Sequence, residues 1–522
     1  MSQAPALPDP RNLPKDPVVL QQMLLEILEL LKEKDRRIET LTTWLAELRR
    51  HQFGRKTESL TDENQKLLGF LVEGMLARKP EPIVQPPPAP SATPPKEQRK
   101  GHGRAKIPKD LPRDVVVHDV PEEKRRCKDC RKKLVPIGQE SSERLEYVPA
   151  SAHVIQDIRI KYACPDEDCR GTILIADLPD RAIPKCKAAE GMLAFVVAGK
   201  IAWHLPLNRL VEILANHGIK VTRSTLWEWF SGAAYALEPI VKWMAKNVQA
   251  SDVVHTDETP VPLKDKALDR LRTARQWTYL NDEHTVYDFS TDRKRKHPKA
   301  FLENTKGYVL SDAYTAYRSI AEELGTITNV FCWAHARRQF WKAIPTDQQR
   351  ALVGMAYISA LYKVEKEAKE LSPAKRKQLR RRKSKPILGQ MKAWLGEVGM
   401  EVLPKSPIGK AIAYVQKNWT ELTRFLEDGR LRLDNNLSEL QIRQVVVGRN
   451  NWGRYESERG GRVGAILESL VASCRRHKLN PFEYLRDVLR RVATHPARRI
   501  GELTPARWKP KPPRSKPKPD TS

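Results

Sequence analysis

Two apolar runs in this sequence each carry an aspartate, and this pattern constrains the possible folds more than any other feature. The stretch His255–Thr259 (HTDET) follows the apolar residues Val253 and Val254 and contains Asp257. The run Tyr308–Asp312 ends in a second acid. We interpret both runs as strands, each ending in a carboxylate. Because ligands gather at the carboxyl ends of strands in α/β sheets, we expect the two aspartates to lie side by side.

A third acid occurs far downstream, in the stretch Asp434–Glu439 (DNNLSE). Two acids on strands and a later acid at the start of a helix suit a pair of Mg²⁺ (or Mn²⁺) ions, since hard cations take oxygen ligands. A capping box is the alternative, in which Asn436 caps the helix and Glu439 reaches back. Asp434 is a competing ligand, so these residues alone leave the role of Glu439 open.

Further stretches alternate polar and apolar residues in the way that half-buried strands do, namely Gln276–Leu280, Thr285–Ser290 and Thr328–Cys332. The basic stretch between Thr291 and Glu303 predicts a helix. Strands followed by a helix and a further strand, with acids on the first and fourth strands, predict an RNase H-like α/β domain.

The balance of charge indicates an anionic partner. The 522 residues include 93 Lys and Arg against 64 Asp and Glu, a net charge of +29. Such an excess favours DNA or RNA over a membrane surface. The run Lys375–Lys385 (KRKQLRRRKSK) favours nucleic acid as well, although a solvated helix face is the alternative. The sequence has neither a long apolar run nor a signal-peptide pattern, which predicts a cytoplasmic protein without a membrane span.

Four cysteines form two close pairs with strand-like stretches, Arg144–Val148 and His153–Tyr162, between them. Thiolates suit tetrahedral Zn²⁺, and a closed four-ligand site is structural. A pair of disulfides and a site that has lost its metal are the alternatives. The pattern predicts a zinc ribbon with the ligands Cys127, Cys130, Cys164 and Cys169.

The N-terminal region contains a long heptad pattern. From Val18 to about Arg50 the chain lacks Pro and Gly, and apolar residues step by three and four, which predicts a coiled coil and a homo-oligomer. A helix packed on the protein's own core is the alternative. Arg55 and Lys56 then contact phosphates or merely end the helix. A second helix is expected over about Asp62–Arg78.

A helix-turn-helix pattern follows the cysteines. Leu207–Ala215 predicts one helix, Gly218 a turn, and Thr225–Tyr235 a second helix with Ser224 as its N-cap. Arg223 and Thr225 at the start of the second helix then face DNA. Two ordinary packed helices are an equal alternative.

These patterns predict a multidomain α+β chain. The expected segments are a helical coiled-coil region (1–78), a Pro-rich basic linker (79–104), a Cys₄ zinc domain (105–184), a helix-turn-helix region (185–250), an RNase H-like domain (251–455) with a helical insertion at about 343–425, a C-terminal helical segment (456–495) and a basic disordered tail (496–522).

Motifs spread over nearly the whole chain, in the same order, match one known family. They include FGRKTESL at 53–60, HLPLNR at 204–209, TDETPVPL at 256–263, LSDAYTAY at 310–317, CWAHARRQF at 332–340, DNNLSELQIR at 434–443 and GRNNW at 448–452. By these motifs the chain resembles the large transposase of IS66-type insertion sequences, which are DDE transposases.

The resemblance implies that Asp257, Asp312 and Glu439 form the DDE triad, which holds Mg²⁺ for DNA cleavage and strand transfer. It also implies that the cysteines form the family's zinc-binding domain, followed by a helix-turn-helix region. The expected partners are the terminal inverted repeats, target DNA and small accessory proteins of the same element, in a bacterial cytoplasm at the nucleoid.

Other residues and functions remain open at this stage. Arg443, one helical turn after Glu439, pairs with it or contacts phosphate, and Arg449 is a further candidate for DNA contact. Cys332 and His335 form a CxxH pair that is two ligands short of a metal site, and a strand end followed by a helix start explains them better. A catalytically inactive transposase that only binds DNA is the alternative function, and an RNase H-like nuclease without end specificity is a third.

Overall fold

The structure, a computed structural model, describes residues 16–53, 58, 60–76, 152–162, 174–175, 177, 180–265 and 269–510. The chain divides into two compact units, one formed by Met1–Lys79 and Asp157–Ser522 and the other by Pro80–Gln156. Some predictions fall outside the described residues: the four zinc ligands, Arg144–Val148, Arg55, Lys56 and the Pro-rich linker.

The N-terminal region forms two helices, α1 (Pro17–Phe53) and α2 (Asp62–Leu76), close to the predicted bounds. The heptad residues Leu24, Leu31 and Ile38 are 61, 51 and 61% exposed. The alternative, a helix packed along this face on the protein's own core, therefore does not hold for these residues. The coiled coil itself stays a prediction.

The predicted strand His153–Tyr162 is wrong over most of its length. Only β1 (Lys161–Tyr162) is a strand, and it pairs antiparallel with β2 (Leu174–Ile175). Residues 152–160 have no regular structure, and Val154 and Ile158 are exposed. Alternation of apolar residues alone does not form a strand where no neighbouring strand pairs with it.

A helical layer precedes the main sheet. It consists of α3 (Glu190–Val197), a π-helical turn (Ala198–Ala202), α4 (Leu207–Asn216) and α5 (Arg223–Gln249). Gly218 turns the chain with a φ of 76°. The predicted second helix is correct in position but much too short. Its N-cap is Thr222 rather than Ser224, because the extended Thr222 places its hydroxyl 3.1 Å from the backbone N–H of Thr225.

The main sheet has five strands, and two helices connect its later strands. In chain order these elements are β3 (Val253–Asp265), β4 (Arg270–Leu280), β5 (Thr285–Ser290), α6 (Lys296–Leu302), β6 (Gly307–Ser311), α7 (Thr315–Leu324) and β7 (Ile327–Phe331). The strand order is β5-β4-β3-β6-β7. The β3–β4 and β4–β5 pairs are antiparallel, whereas β3, β6 and β7 run parallel.

The sequence pattern placed Asp257 at the end of a strand, and the structure corrects this. Asp257 is the fifth residue of β3 and pairs with Thr278 of β4. The parallel pairing with β6, however, ends at His255, opposite Leu310. Asp257 thus lies just beyond the parallel part of the sheet, while the antiparallel hairpin with β4 continues past it.

A group of helices spans residues 333–426 and includes the region of the predicted insertion at about 343–425. It contains α8 (Trp333–Ala343), α9 (Gln348–Glu367), α10 (Pro373–Glu401), α11 (Pro407–Lys417), α12 (Trp419–Thr423) and a 3₁₀ turn (Arg424–Leu426). Apolar residues of these helices form a core with the ends of β6 and β7.

The basic run on α10 is only partly a solvent-facing surface. Arg380 is fully buried and its guanidinium contacts both carboxylate oxygens of Glu365 at 2.7 Å. It also donates to the carbonyls of Phe425, Asp428 and Leu431. The prediction that this run as a whole faces nucleic acid is therefore wrong for Arg380, because its charge is neutralised inside the protein.

The last helices of the described residues are α13 (Asn436–Trp452), α14 (Glu458–Arg476), α15 (Pro481–Val492) and a 3₁₀ helix (Ala497–Leu503). Helix α14 covers β5, whose backbone N–H groups at Thr285 and Tyr287 donate to the hydroxyls of Ser473 and Ser469 at 3.0 and 2.8 Å. These bonds satisfy donors that an edge strand would otherwise expose.

The prediction of disorder from residue 496 is wrong for residues 496–510. Leu503, in the last 3₁₀ helix, is fully buried, and its carbonyl accepts the hydroxyl of Tyr484 at 2.6 Å. Trp508 packs edge-on against Tyr484 with 5.7 Å between ring centroids. A segment with buried apolar side chains is ordered in spite of its basic composition.

Candidate active site

Asp257 is at the centre of the site. Its burial, together with the neighbouring carboxylates of Asp312, Glu258 and Glu439, raises its pKa to about 8. The backbone N–H of Glu258 donates to its Oδ1 at 2.8 Å and opposes that rise. A carboxylate surrounded in this way resists ionisation unless a positive charge compensates for it.

The two other predicted acids approach Asp257 from different elements. Asp312 directly follows β6, and its Oδ1 accepts the backbone N–H of Tyr314 at 3.2 Å. Glu439 lies in the first turn of α13. Both carboxylates contribute to the raised pKa of Asp257. The charges of the two other predicted acids therefore act on Asp257.

Asn435 joins the elements that carry these acids. It is fully buried, and its side-chain amide donates to the carbonyl of Thr256 at 2.8 Å. Its Oδ1 accepts the hydroxyl of Ser438 at 2.8 Å and lies 3.3 Å from Nδ1 of His255. Burial lowers the pKa of His255 to about 4, so this imidazole is neutral at neutral pH. Asn435 thus connects β3 directly to the start of α13.

The capping-box alternative for Glu439 is wrong. The N-cap of α13 is Asn435 and no side chain caps the helix there. Oε1 of Glu439 is buried without a hydrogen-bond partner among the described residues. The amide of Asn436 instead donates to Asp434 at 2.8 Å. Asp434, the competing ligand, is thus already hydrogen-bonded, whereas Glu439 keeps a free oxygen.

Sequence reasoning missed a fourth carboxylate beside the triad. The side chain of Glu258 is only 4% exposed and is paired with the guanidinium of Arg293. Arg293 lies over the ring of Tyr314 at 4.0 Å from the centroid, and the Tyr314 hydroxyl donates to its carbonyl at 2.9 Å. The positive charge of Arg275 also acts on the carboxylate of Glu258. The sequence signal that could have identified Glu258 is its position directly after Asp257 in HTDET.

Cys332 and His335 lie next to the triad as well. Cys332 precedes α8, and its Sγ accepts the backbone N–H of Asn435 at 3.1 Å. Burial raises the pKa of this thiol to about 12. Nδ1 of His335 is 3.7 Å from Oε1 of Glu439. The CxxH pair, which alone is two ligands short of a metal site, therefore gains a third donor from α13.

The predicted DNA-contacting residues that the structure describes occupy two helices. Arg223 is exposed at the start of α5, whereas the hydroxyl of Thr225 is bonded to that of Thr222 at 2.9 Å. Arg443 is exposed on α13 and, within the described residues, forms no ion pair with Glu439. Arg449 donates to the carbonyl of Pro260 on β3. Thr225 and Arg449 therefore already have structural roles.

The residues present fit a divalent cation. The charges of Asp312 and Glu439 act on buried Asp257, which resists ionisation, and Oε1 of Glu439 has no hydrogen-bond partner in the described part of the chain. Bound positive charge would remove the mutual repulsion of the acids and supply the missing partner. Their oxygen atoms are the donors that Mg²⁺ and Mn²⁺ prefer.

None of the described helices combines the length and the apolar character that a membrane span requires.

Comparisons with protein families give consistent matches. A family model described as "Transposase IS66 family" matches residues 185–463, and the "IS66 C-terminal element" matches residues 469–506. The "zinc-finger binding domain of transposase IS66" matches residues 124–166. A model described as "Transposase C of IS166 homeodomain" matches residues 40–116.

Curated relatives are similar over most of the chain. The uncharacterized protein y4jD of Sinorhizobium fredii (strain NBRC 101917 / NGR234) is 32% identical over 421 residues, which cover 77% of this chain and 81% of the relative. The uncharacterized protein y4hP of the same organism is 31% identical over 500 residues, covering 90% of this chain and 89% of the relative.

Proposed function

Because this chain belongs to the IS66 family of transposases, we propose that it binds the ends of its insertion sequence and catalyses metal-dependent DNA cleavage and strand transfer. The observation that carries this proposal is the cluster of acids around Asp257. The pKa of Asp257 is raised because the residue is buried near like charges, and groups with strongly shifted pKa values cluster at functional sites.

Asp257, Asp312 and Glu439 would hold Mg²⁺ or Mn²⁺. When bound, two such ions activate the attacking oxygen and stabilise the leaving oxygen of an in-line displacement at phosphorus. The same carboxylates would serve hydrolysis at the transposon end and the later attack of the freed 3′-hydroxyl on target DNA.

The chain's own side chains orient the acids and the DNA. Asn435 holds the start of α13 against β3 and so fixes the position of Glu439 relative to Asp257. Arg293, held by Glu258 and Tyr314 beside the triad, would contact a backbone phosphate. A guanidinium fixed in this way loses little freedom when it binds an anion.

We also propose that residues 251–455 form an RNase H-like domain. The strand order β5-β4-β3-β6-β7, with an antiparallel first part and a parallel second part, supports this interpretation. In this arrangement β3, the first strand of the main sheet in chain order, is central, and the second acid directly follows its parallel neighbour β6.

Other parts of the chain would provide DNA binding and assembly. The match to the family's zinc-finger domain supports a structural Zn²⁺, and we propose Cys127, Cys130, Cys164 and Cys169 as its ligands. Helices α4 and α5 would act as a helix-turn-helix, with exposed Arg223 toward DNA. Helix α1, with its exposed heptad face, would form a coiled coil between copies of the chain, and small proteins of the same element would assist.

The test is Mg²⁺-dependent cleavage of DNA that carries the element's ends. Asp257→Asn, Asp312→Asn and Glu439→Gln should each lower cleavage at least about 100-fold, since each removes a charge that holds the cations. Asp434→Asn is the matched control, because its carboxylate is bonded to Asn436, and it should retain most of the activity.

End binding, measured in the same assays, separates the remaining functions. Binding without cleavage by the unaltered chain would favour a DNA-binding protein that has lost its chemistry. Cleavage that ignores the end sequence would favour a nonspecific nuclease. Normal cleavage by any of the three variants would remove that residue from the triad.

A further inference from the structure

A second group of potential metal ligands lies beside the carboxylate triad. The ligand atoms of Cys332, His335 and Glu439 all lie within 4.8 Å of one another. Cys332 directly precedes α8 and His335 lies in the first turn of that helix, whereas Glu439 comes from the first turn of α13.

Two of these donor atoms have no partner. Nδ1 of His335 and Oε1 of Glu439 are buried and form no hydrogen bond within the described residues. Their separation of 3.7 Å is too long for a hydrogen bond between them. Buried polar atoms without a partner are uncommon in folded proteins, so a partner for this pair is expected.

We propose that Cys332, His335 and Glu439 form a binding site for a Zn²⁺-class ion. A sulfur, a nitrogen and an oxygen donor suit Zn²⁺ and not Mg²⁺, which prefers oxygen alone. Tetrahedral Zn²⁺ with its usual bond lengths separates ligand atoms by roughly 3.3–3.6 Å. The separation of 3.7 Å between His335 and Glu439 is already close to that value.

The surroundings hold these donors in place. Sγ of Cys332 accepts the backbone N–H of Asn435, and this hydrogen bond fixes the position of the sulfur atom. Cys332 and Asn435 are both fully buried, which fixes the positions of β7 and α13 relative to each other. Three protein ligands leave a fourth position open for water or another oxygen donor.

This site uses none of the zinc-finger cysteines, and it differs from the oxygen-only cluster around Asp257 in its sulfur and nitrogen donors, while Glu439 is common to both. An ion here would connect α8 to α13 and fix the carboxylate of Glu439. The metal-binding proposal does not depend on the proposed function, since it requires no catalytic role for Glu439.

Zn²⁺ stoichiometry of the full chain tests the proposal. Each protein is freed of metal and then saturated with Zn²⁺ in the presence of excess Mg²⁺, which fills oxygen-only sites. The unaltered chain should bind one equivalent of Zn²⁺ more than Cys332→Ser or His335→Ala. Cys474→Ser is the matched control, because Cys474 is also a fully buried free thiol but lies on α14, and it should bind as the unaltered chain does.

Co²⁺ gives an independent signature of the sulfur ligand. The unaltered chain should show more thiolate-to-metal absorption per chain than Cys332→Ser. His335→Ala, whose side chain is partly exposed, serves if the serine variant does not fold. Equal Zn²⁺ stoichiometry in the unaltered chain and in the folded variants would overturn the proposal and leave these residues as a group of packed side chains.

Discussion

The side-chain amide of Asn435 donates to the carbonyl of Thr256, so the residue before Asp257 is bonded to the helix that carries Glu439. The bond spans 179 positions of the sequence and is 2.8 Å long. Because Asn435 is fully buried, water cannot replace this contact. This amide therefore helps to fix the relative position of the first and third acids.

Asn435→Ala is expected to reduce both stability and DNA cleavage. It leaves the Thr256 carbonyl and the Ser438 hydroxyl without their partner, which should cost about 2–4 kcal/mol in the free energy of unfolding. A shift of Glu439 by about 1 Å can lower the rate about 100-fold. Urea unfolding and end cleavage measure the two effects.

The control is the neighbouring Asn436→Ala. Asn436 is exposed and its amide bonds only to Asp434 among the described residues, so the change should cost less than about 1 kcal/mol. Equal effects of the two substitutions would show that Asn435 does not position the site.

Asp257→Asn is expected to stabilise the metal-free protein at high pH. The pKa of Asp257 is raised from 3.8 to about 8 in the folded state. Between these values the unfolded chain binds fewer protons than the folded one, so this group lowers stability as pH rises from about 4 to 8. Asparagine removes that dependence and should add roughly 1–3 kcal/mol at pH 8.

Urea unfolding at pH 5 and pH 8, without divalent cations, measures this change. Added Mg²⁺ should stabilise the unaltered chain at pH 8 but not the variant, since binding to the folded state alone shifts the equilibrium. An unchanged pH dependence in Asp257→Asn would mean that the carboxyl is already ionised at neutral pH.

Arg293→Ala is expected to lower the affinity for DNA and to make that affinity less dependent on salt concentration. If Arg293 neutralises one phosphate, the slope of log affinity against log salt should fall by about 0.9. Glu258→Gln frees Arg293 from its ion pair and should reduce cleavage more than binding, because the guanidinium is then no longer held beside the triad.

A remote ion pair of the same type provides the comparison for Arg293. Arg499 pairs with Glu502 at 2.7 Å and is 62% exposed, in the last 3₁₀ helix. Arg499→Ala should leave the salt slope almost unchanged. A similar loss of slope in both variants would point to general electrostatics and away from a phosphate contact at the site.

Two adjacent arginines of the basic run should behave differently. Arg380→Met leaves Glu365 and three carbonyls without their partner and should destabilise the fold by about 3–5 kcal/mol. Exposed Arg381→Ala should change stability by less than about 0.5 kcal/mol and should lower DNA affinity. Chemical denaturation and binding titrations separate the two, and similar stabilities would argue against a structural role for Arg380.

Local pattern determined much of the architecture. Alternating residues predicted Thr285–Ser290 with its observed bounds, and the heptads predicted α1 to within a few residues. The acids Asp257 and Asp312 were found because short β-rich runs precede them. These features depend on the periodicity of residues that are close together in the sequence, and this periodicity can be read from the sequence itself.

The tertiary structure alone decided which distant groups meet. Glu439 fits a capping box by spacing, yet its Oε1 lies 3.7 Å from Nδ1 of His335 and its charge acts on Asp257, in a helix whose start is bonded to β3 through Asn435. Arg380 belongs to a basic run whose composition predicts an exposed charged surface, yet its side chain is buried and paired with Glu365. Partners far apart in the chain are selected by packing and by the cost of leaving buried polar groups unpaired, and local spacing does not encode either.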